Sequence, residues 1–91
     1  MARVVPFEYR NRPFEIRVTD DGALELYLQG CLRKRREPGP REPRYVWTSV
    51  ELEWEEHHYV EARYWPGRGR LSVTVNGAPL LDCDLDAGHG R

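Results

Sequence analysis

A two-residue alternation of apolar and polar side chains runs along nearly the whole of this sequence, and it constrains the fold more than any other feature. "FEIRV" points Phe14, Ile16 and Val18 one way and Glu15 and Arg17 the other. "ALELYLQ" sets Leu24, Leu26 and Leu28 against Glu25, Tyr27 and Gln29. In "VWTSVELEW" the inward set is Val46, Thr48, Val50, Leu52 and Trp54, with Glu51 and Glu53 facing out. Val60, Ala62 and Tyr64, then Leu71, Val73 and Val75, then Leu81, Cys83 and Leu85 continue the pattern. Each set is one face of a half-buried strand, and no segment keeps a helical period for long.

The punctuation agrees with strands. Asp20-Asp21-Gly22, Gln29-Gly30, Pro66-Gly67-Arg68-Gly69 and Asn76-Gly77 all fall between alternating runs, and Asn-Gly is a strong hairpin signal. Only "REPGPREPR", residues 36–44, is long and proline-rich enough to be a real connection.

The chain also repeats itself. "GALELYLQG" (22–30) matches "GRLSVTVNG" (69–77), and "FEIRV" (14–18) matches "VEARY" (60–64). "FEY" (7–9) and "LEW" (52–54) precede them, so "EEHH" (55–58) takes the place of "RNRP" (10–13), the reversal between the first two strands. Two four-strand meanders, each with one apolar face, must pack on each other to bury it. The expected fold is all-β: an eight-stranded antiparallel β-sandwich of two similar four-stranded units, with a small closed barrel as the alternative. The strands are predicted near 3–9, 13–19, 23–29, 32–36, 45–55, 58–65, 70–76 and 79–85. The expected organisation is one domain over 1–91, with halves about 3–36 and 45–85, a linker at 37–44 and a flexible tail at 87–91.

The counterparts "VELEW", His58, "YVEARYW" and "VTVNG", spanning roughly residues 44–85, resemble the recurring pattern of the Fas apoptotic inhibitory molecule proteins. Their pattern is W-x-V-x-L, a turn with histidine, an alternating strand, then "VDG" or "ING". The resemblance implies a compact β-sandwich with a non-enzymatic protein-interaction role. It assigns no functional residue here.

Composition narrows the function classes. Ninety-one residues with 40% hydrophobic and 32% charged content suit a globular chain, and no apolar run approaches a membrane span of about 20 residues. "MARVVPFEYR" lacks the features of a secretory signal, so a cytoplasmic location without membrane contact is expected. Thirteen of the 14 basic residues are arginine and isoleucine occurs once, which reads as a GC-rich, bacterial coding sequence. Cys31 and Cys83 have no metal or redox spacing, and a disulfide between them is not expected. The net charge of −1 is unevenly placed, +3 over residues 1–49 and −4 over 50–91.

Four sets of residues are candidates for function. His57 and His58 beside Glu55 and Glu56 form the one cluster able to bind a metal or respond to pH. Neighbouring strand positions point to opposite faces, however, so solvent-facing or structural histidines are expected and no metal or other cofactor is assigned. "RKRRE", with Arg41 and Arg44, is the strongest basic patch. As a strand it puts Arg33 and Arg35 on one face and Lys34 and Arg36 on the other, exposed on both, which suits a charged sheet edge. Glu51, Glu53 and Glu55 line an outward face, where they would pair with Arg63 or Arg17, or meet a basic strand of another copy. Among ten aromatic residues, Trp54 and Tyr64 are expected in the core. Tyr27, Tyr45, Trp47, Tyr59 and Trp65 fall on outward faces, and exposed Trp and Tyr favour binding.

Catalysis has little support, because Ser49 and Ser72 lie inside strands without a nucleophile elbow. The chain reads as a non-enzymatic interaction or adaptor module binding a protein partner or itself. Trp47, Trp65, Tyr45, Tyr27, Arg33, Arg35, Glu51 and Glu53 are the contact residues. The alternatives are a small nucleic-acid accessory using residues 33–44 and, ranked last, a metal site at His57 and His58.

Overall fold

The alternation folds as it must. The computed structural model describes residues 3–40, 43–53 and 56–85, and the side chains of all of these except 52, 53 and 56. Eight strands follow in order: β1 Arg3–Tyr9, β2 Arg12–Val18, β3 Leu24–Leu28, β4 Cys31–Arg36, β5 Arg44–Glu53, β6 Glu56–Trp65, β7 Arg70–Val75 and β8 Ala78–Asp84. They form two antiparallel meanders, sheet A in the order β1-β2-β3-β4 and sheet B in the order β5-β6-β7-β8. The sheets pack face to face as a sandwich and no closed barrel forms.

The inward faces make the core. Phe14, Ile16 and Val18 of β2, Leu24 and Leu26 of β3, Val46 and Val50 of β5, Val60, Ala62 and Tyr64 of β6, and Leu71, Val73 and Val75 of β7 form one buried cluster. Ile16, Leu24, Leu26 and Leu71 have no exposed surface. Burying a side chain of this size contributes about 1.5–3 kcal/mol. Phe7 stacks on Phe14 with ring centroids 5.2 Å apart, extending the core under β1. Val5, Phe7 and Tyr9 of β1 and Leu81 and Cys83 of β8 are only partly buried, since these strands lie at the margins of their sheets. Trp54, expected in the core, lies outside the described residues.

The two units share details beyond the order of their strands. Leu26 and Tyr27 pair with Lys34 and Leu32, leaving Arg33 as the extra residue of a β-bulge. Val73 and Thr74 pair with Leu81 and Pro79, leaving Leu80 in the equivalent place. The turns at Gln29-Gly30 and Asn76-Gly77 have φ values of 51° and 81°, and of 51° and 82°, as a two-residue hairpin loop with both central residues left-handed requires. Gln29 N–H donates to Pro13 C=O and Asn76 N–H to Tyr59 C=O, both at 2.9 Å.

One expectation is corrected here. Residues 56–58 are not part of the reversal between β5 and β6. They belong to β6, with Glu56 opposite Glu53, His57 opposite Glu51 and His58 opposite Val50. Likewise Arg12 and Pro13 are strand residues, and the β1–β2 turn is Arg10-Asn11, both with positive φ. A two-residue turn is enough to reverse the β1–β2 pair.

Candidate functional site

The two strands on either side of the linker, β4 and β5, lie at the edges of different sheets and close against each other there. Every residue of β4 is exposed. Its side chains reach across to β5. Arg33 Nη2 donates to Ser49 C=O at 3.3 Å, and Arg36 Nε donates to Tyr45 C=O at 3.1 Å. Lys34 Nζ stands 5.9 Å from the centre of the Trp47 ring. The open hydrogen-bonding edge of β5 is therefore covered by basic side chains rather than by another strand, which blocks unwanted strand pairing.

The bulge decides which basic residues do this. Arg33 was expected to share a face with Arg35, but as the extra residue of the bulge it joins Lys34 and Arg36 over β5. Arg35 is turned to the outer face of sheet A. There Arg35 Nη1 meets Glu25 at 2.5 Å and Arg35 Nε meets Glu37 at 2.6 Å, with Asp21 at 3.6 Å. Glu37 and then Glu25 hold this guanidinium above its ordinary range. Glu25 is more buried than an outward position suggests, because the Tyr27 hydroxyl also donates to it at 3.0 Å. Arg17 lies over the Tyr27 ring at 4.2 Å, and burial, then Glu25, raises the Tyr27 phenol. Tyr27 and Arg35 thus form a satisfied polar network on sheet A, opposite the face that carries Trp47.

The outer face of sheet B carries the rest. Trp47 is 45% exposed and Tyr59 51% exposed, their ring centroids 6.2 Å apart and their planes at 51°. Beside them the Tyr45 hydroxyl donates to Glu61 at 2.5 Å and Arg63 covers the Tyr45 ring at 4.8 Å. Glu61, and secondarily burial, raises the Tyr45 phenol. Trp65 is half-buried beside the turn that follows β6. Four residues separate it from Glu61, the residue opposite Trp47, or about 13 Å along the strand. The two tryptophans do not make one contact patch.

Glu51 is exposed and faces His57 Nε2 at 3.6 Å, not the expected Arg63 or Arg17. Those arginines pair with Glu61 and Glu15, two residues away on their own strand. The shared face of one strand brings residues i and i+2 together before any distant partner. The side chain of Glu53 lies outside the described residues.

The histidines part company as their alternation requires. His57 is exposed, whereas His58 is 3% exposed on the inner face. Asn76 Nδ2, which can only donate, lies 3.3 Å from His58 Nδ1, and the Tyr9 hydroxyl lies 3.0 Å from the same nitrogen. No three His, Cys, Asp or Glu side chains gather around one point among the described residues. Both cysteines are free, Cys31 exposed and Cys83 half-buried with its thiol pushed up by burial.

Two connected depressions mark the seam. A cleft of about 250 Å³ is lined by Lys34, Arg36, Tyr45 and Trp47 among others. It shares Arg35, Arg36 and Tyr45 with a larger cavity of about 630 Å³ that also takes in Glu37, Pro40, Pro43 and Arg44. Arg44 is engaged in the fold, its Nη1 donating to Gly22 C=O and its Nη2 to Gly39 C=O, both at 2.8 Å. Sequence reasoning singled out the arginines and the aromatics separately. It missed that β4 and β5 bring them together, and its contact residues for a protein partner took Arg35 rather than Lys34 and Arg36, which it had placed on the other face of the basic strand. No protein-family model matches the chain, and no curated protein or solved structure is significantly similar to it.

Proposed function

We propose that this chain is a non-enzymatic interaction module that binds a protein partner through the β4–β5 seam and the adjoining outer face of sheet B. The observation that carries this reading is the exposure of Trp47 and Tyr59 as a touching pair, outside a core that is complete without them. Large aromatic side chains left in water beside cations are the usual anchors of protein contacts. Arg33, Lys34 and Arg36 form the polar rim. The role agrees with what the resemblance to the Fas apoptotic inhibitory molecule sandwich implies.

The nucleic-acid alternative is weakened by the use made of its arginines. Arg35 is bound by carboxylates and Arg44 by backbone carbonyls, which leaves a short basic run within a chain of net charge −1.

A tagged pull-down from the source cells tests the proposal, with the eluate read by mass spectrometry and by its absorbance at 260 and 280 nm. A stoichiometric protein is expected, lost on Trp47→Ala and retained on Trp65→Ala. A nucleic-acid peak without a protein partner would overturn the reading.

A further inference from the structure

We infer that the trough between β4 and β5 binds an extended acidic peptide whose carboxylates fall on alternate residues, an assignment that rests on the protein-binding reading above. Three cations stand over the edge of β5, and among the described residues none of them meets a carboxylate. Arg33 and Arg36 contact neutral backbone carbonyls and Lys34 an indole ring. Arg35, in the same strand, is saturated with carboxylates, so the shortage is confined to Arg33, Lys34 and Arg36.

The spacing suits a strand-like ligand. The carbonyls of Tyr45 and Ser49 are four residues apart, about 13 Å along β5, and Trp47 with Lys34 above it lies halfway. The β5 residues these cations stand over therefore repeat roughly every 6.5 Å, the distance between alternate residues of an extended chain. Acidic residues at i, i+2 and i+4 would meet Arg33, Lys34 and Arg36 in turn. Each guanidinium has five N–H donors and uses one on β5, so a carboxylate can be taken without opening the seam.

A continuous phosphate chain fits less well. The Trp47 and Tyr59 rings are tilted by 51°, not parallel as successive stacked bases require.

The experiment is fluorescence anisotropy with three labelled nine-residue peptides: aspartates alternating with threonine, the same residues with the aspartates in one block, and the alternating peptide with asparagine for aspartate. A single-stranded oligothymidine serves as competitor. The alternating peptide is expected to bind about threefold more tightly than the block peptide, with no binding of the asparagine version and steep weakening by salt. Lys34→Glu, which holds no backbone carbonyl and leaves both arginine contacts to β5 in place, is expected to weaken binding roughly tenfold without lowering the melting temperature. Failure of the alternating peptide to bind would overturn the inference, as would indifference to Lys34→Glu or tighter binding of the oligonucleotide. Self-association abolished by Lys34→Glu, without peptide binding, would overturn it in favour of a second copy of the chain. A pull-down partner that persists through Trp47 while the peptides fail would leave the interaction role standing and remove only the acidic ligand.

Discussion

Gln29 and Asn76 hold the same place in the two halves, yet replacing each by glycine is expected to move stability in opposite directions. Both begin a two-residue turn, both have φ of 51°, and both donate their backbone N–H to the strand across from them. The difference lies in what faces the turn. In the first half that residue is Pro13, which has no N–H to satisfy. In the second it is Tyr59, whose N–H donates to Asn76 Oδ1 at 2.8 Å. Asn76 Nδ2 then donates to the buried His58. Gln29 has no side-chain partner among the described residues.

For Gln29→Gly, relief of a left-handed conformation is worth about 1–2 kcal/mol, offset by about 0.5–1 kcal/mol of added freedom in the unfolded chain. The net is a gain of up to about 1.5 kcal/mol. For Asn76→Gly the conformational relief is smaller, since asparagine tolerates this region, and two hydrogen bonds are lost at about 0.5–1.5 kcal/mol each. The net is a loss of about 1–2 kcal/mol. In a domain of this size 1 kcal/mol moves the melting temperature by about 4–8 °C, so thermal and urea denaturation should separate the two variants clearly. Equal shifts in the same direction, or an Asn76→Gly protein that melts with the wild type, would refute the reasoning.

Ile16→Ala should destabilise by about 2–5 kcal/mol in urea, because the side chain is fully enclosed and its loss leaves a cavity between the sheets. A thiol reagent should label the exposed Cys31 before the half-buried Cys83, whose thiol is raised by burial with Asp82 and Asp84 adding to it; mass spectrometry of the partly labelled protein reads the order. Asp82 is held below the usual carboxylate range, chiefly by its hydrogen bond from Arg70. A depressed folded-state value means that its contribution is present above the unfolded value of about 3.9 and is lost as pH falls through the folded one. Asp82→Asn should therefore flatten the acid side of the stability–pH curve while leaving its neutral and alkaline sides parallel to wild type.

Much of this fold is local chemistry, and local chemistry is legible in a sequence. The two-residue period marked β2, β3 and β5 to β8 and, among the described residues, their inward faces, because alternation is intrinsic to the pleat. Gln29-Gly30 and Asn76-Gly77 marked hairpins because left-handed backbone strongly favours glycine and asparagine. The matched segments 22–30 and 69–77 disclosed two similar units before any contact was known. Period and turn do not say which sheet edges will meet. That β4 closes on β5, that a bulge carries Arg33 over Ser49, and that Tyr9 reaches His58 across the sandwich all depend on how two twisted sheets pack. For the same reason Tyr27 and Trp47, both outward in sequence, parted to opposite faces of the molecule. The strands and their two faces belong to the sequence alone; the seam that joins basic and aromatic residues was decided only by tertiary packing, where non-local edges come together.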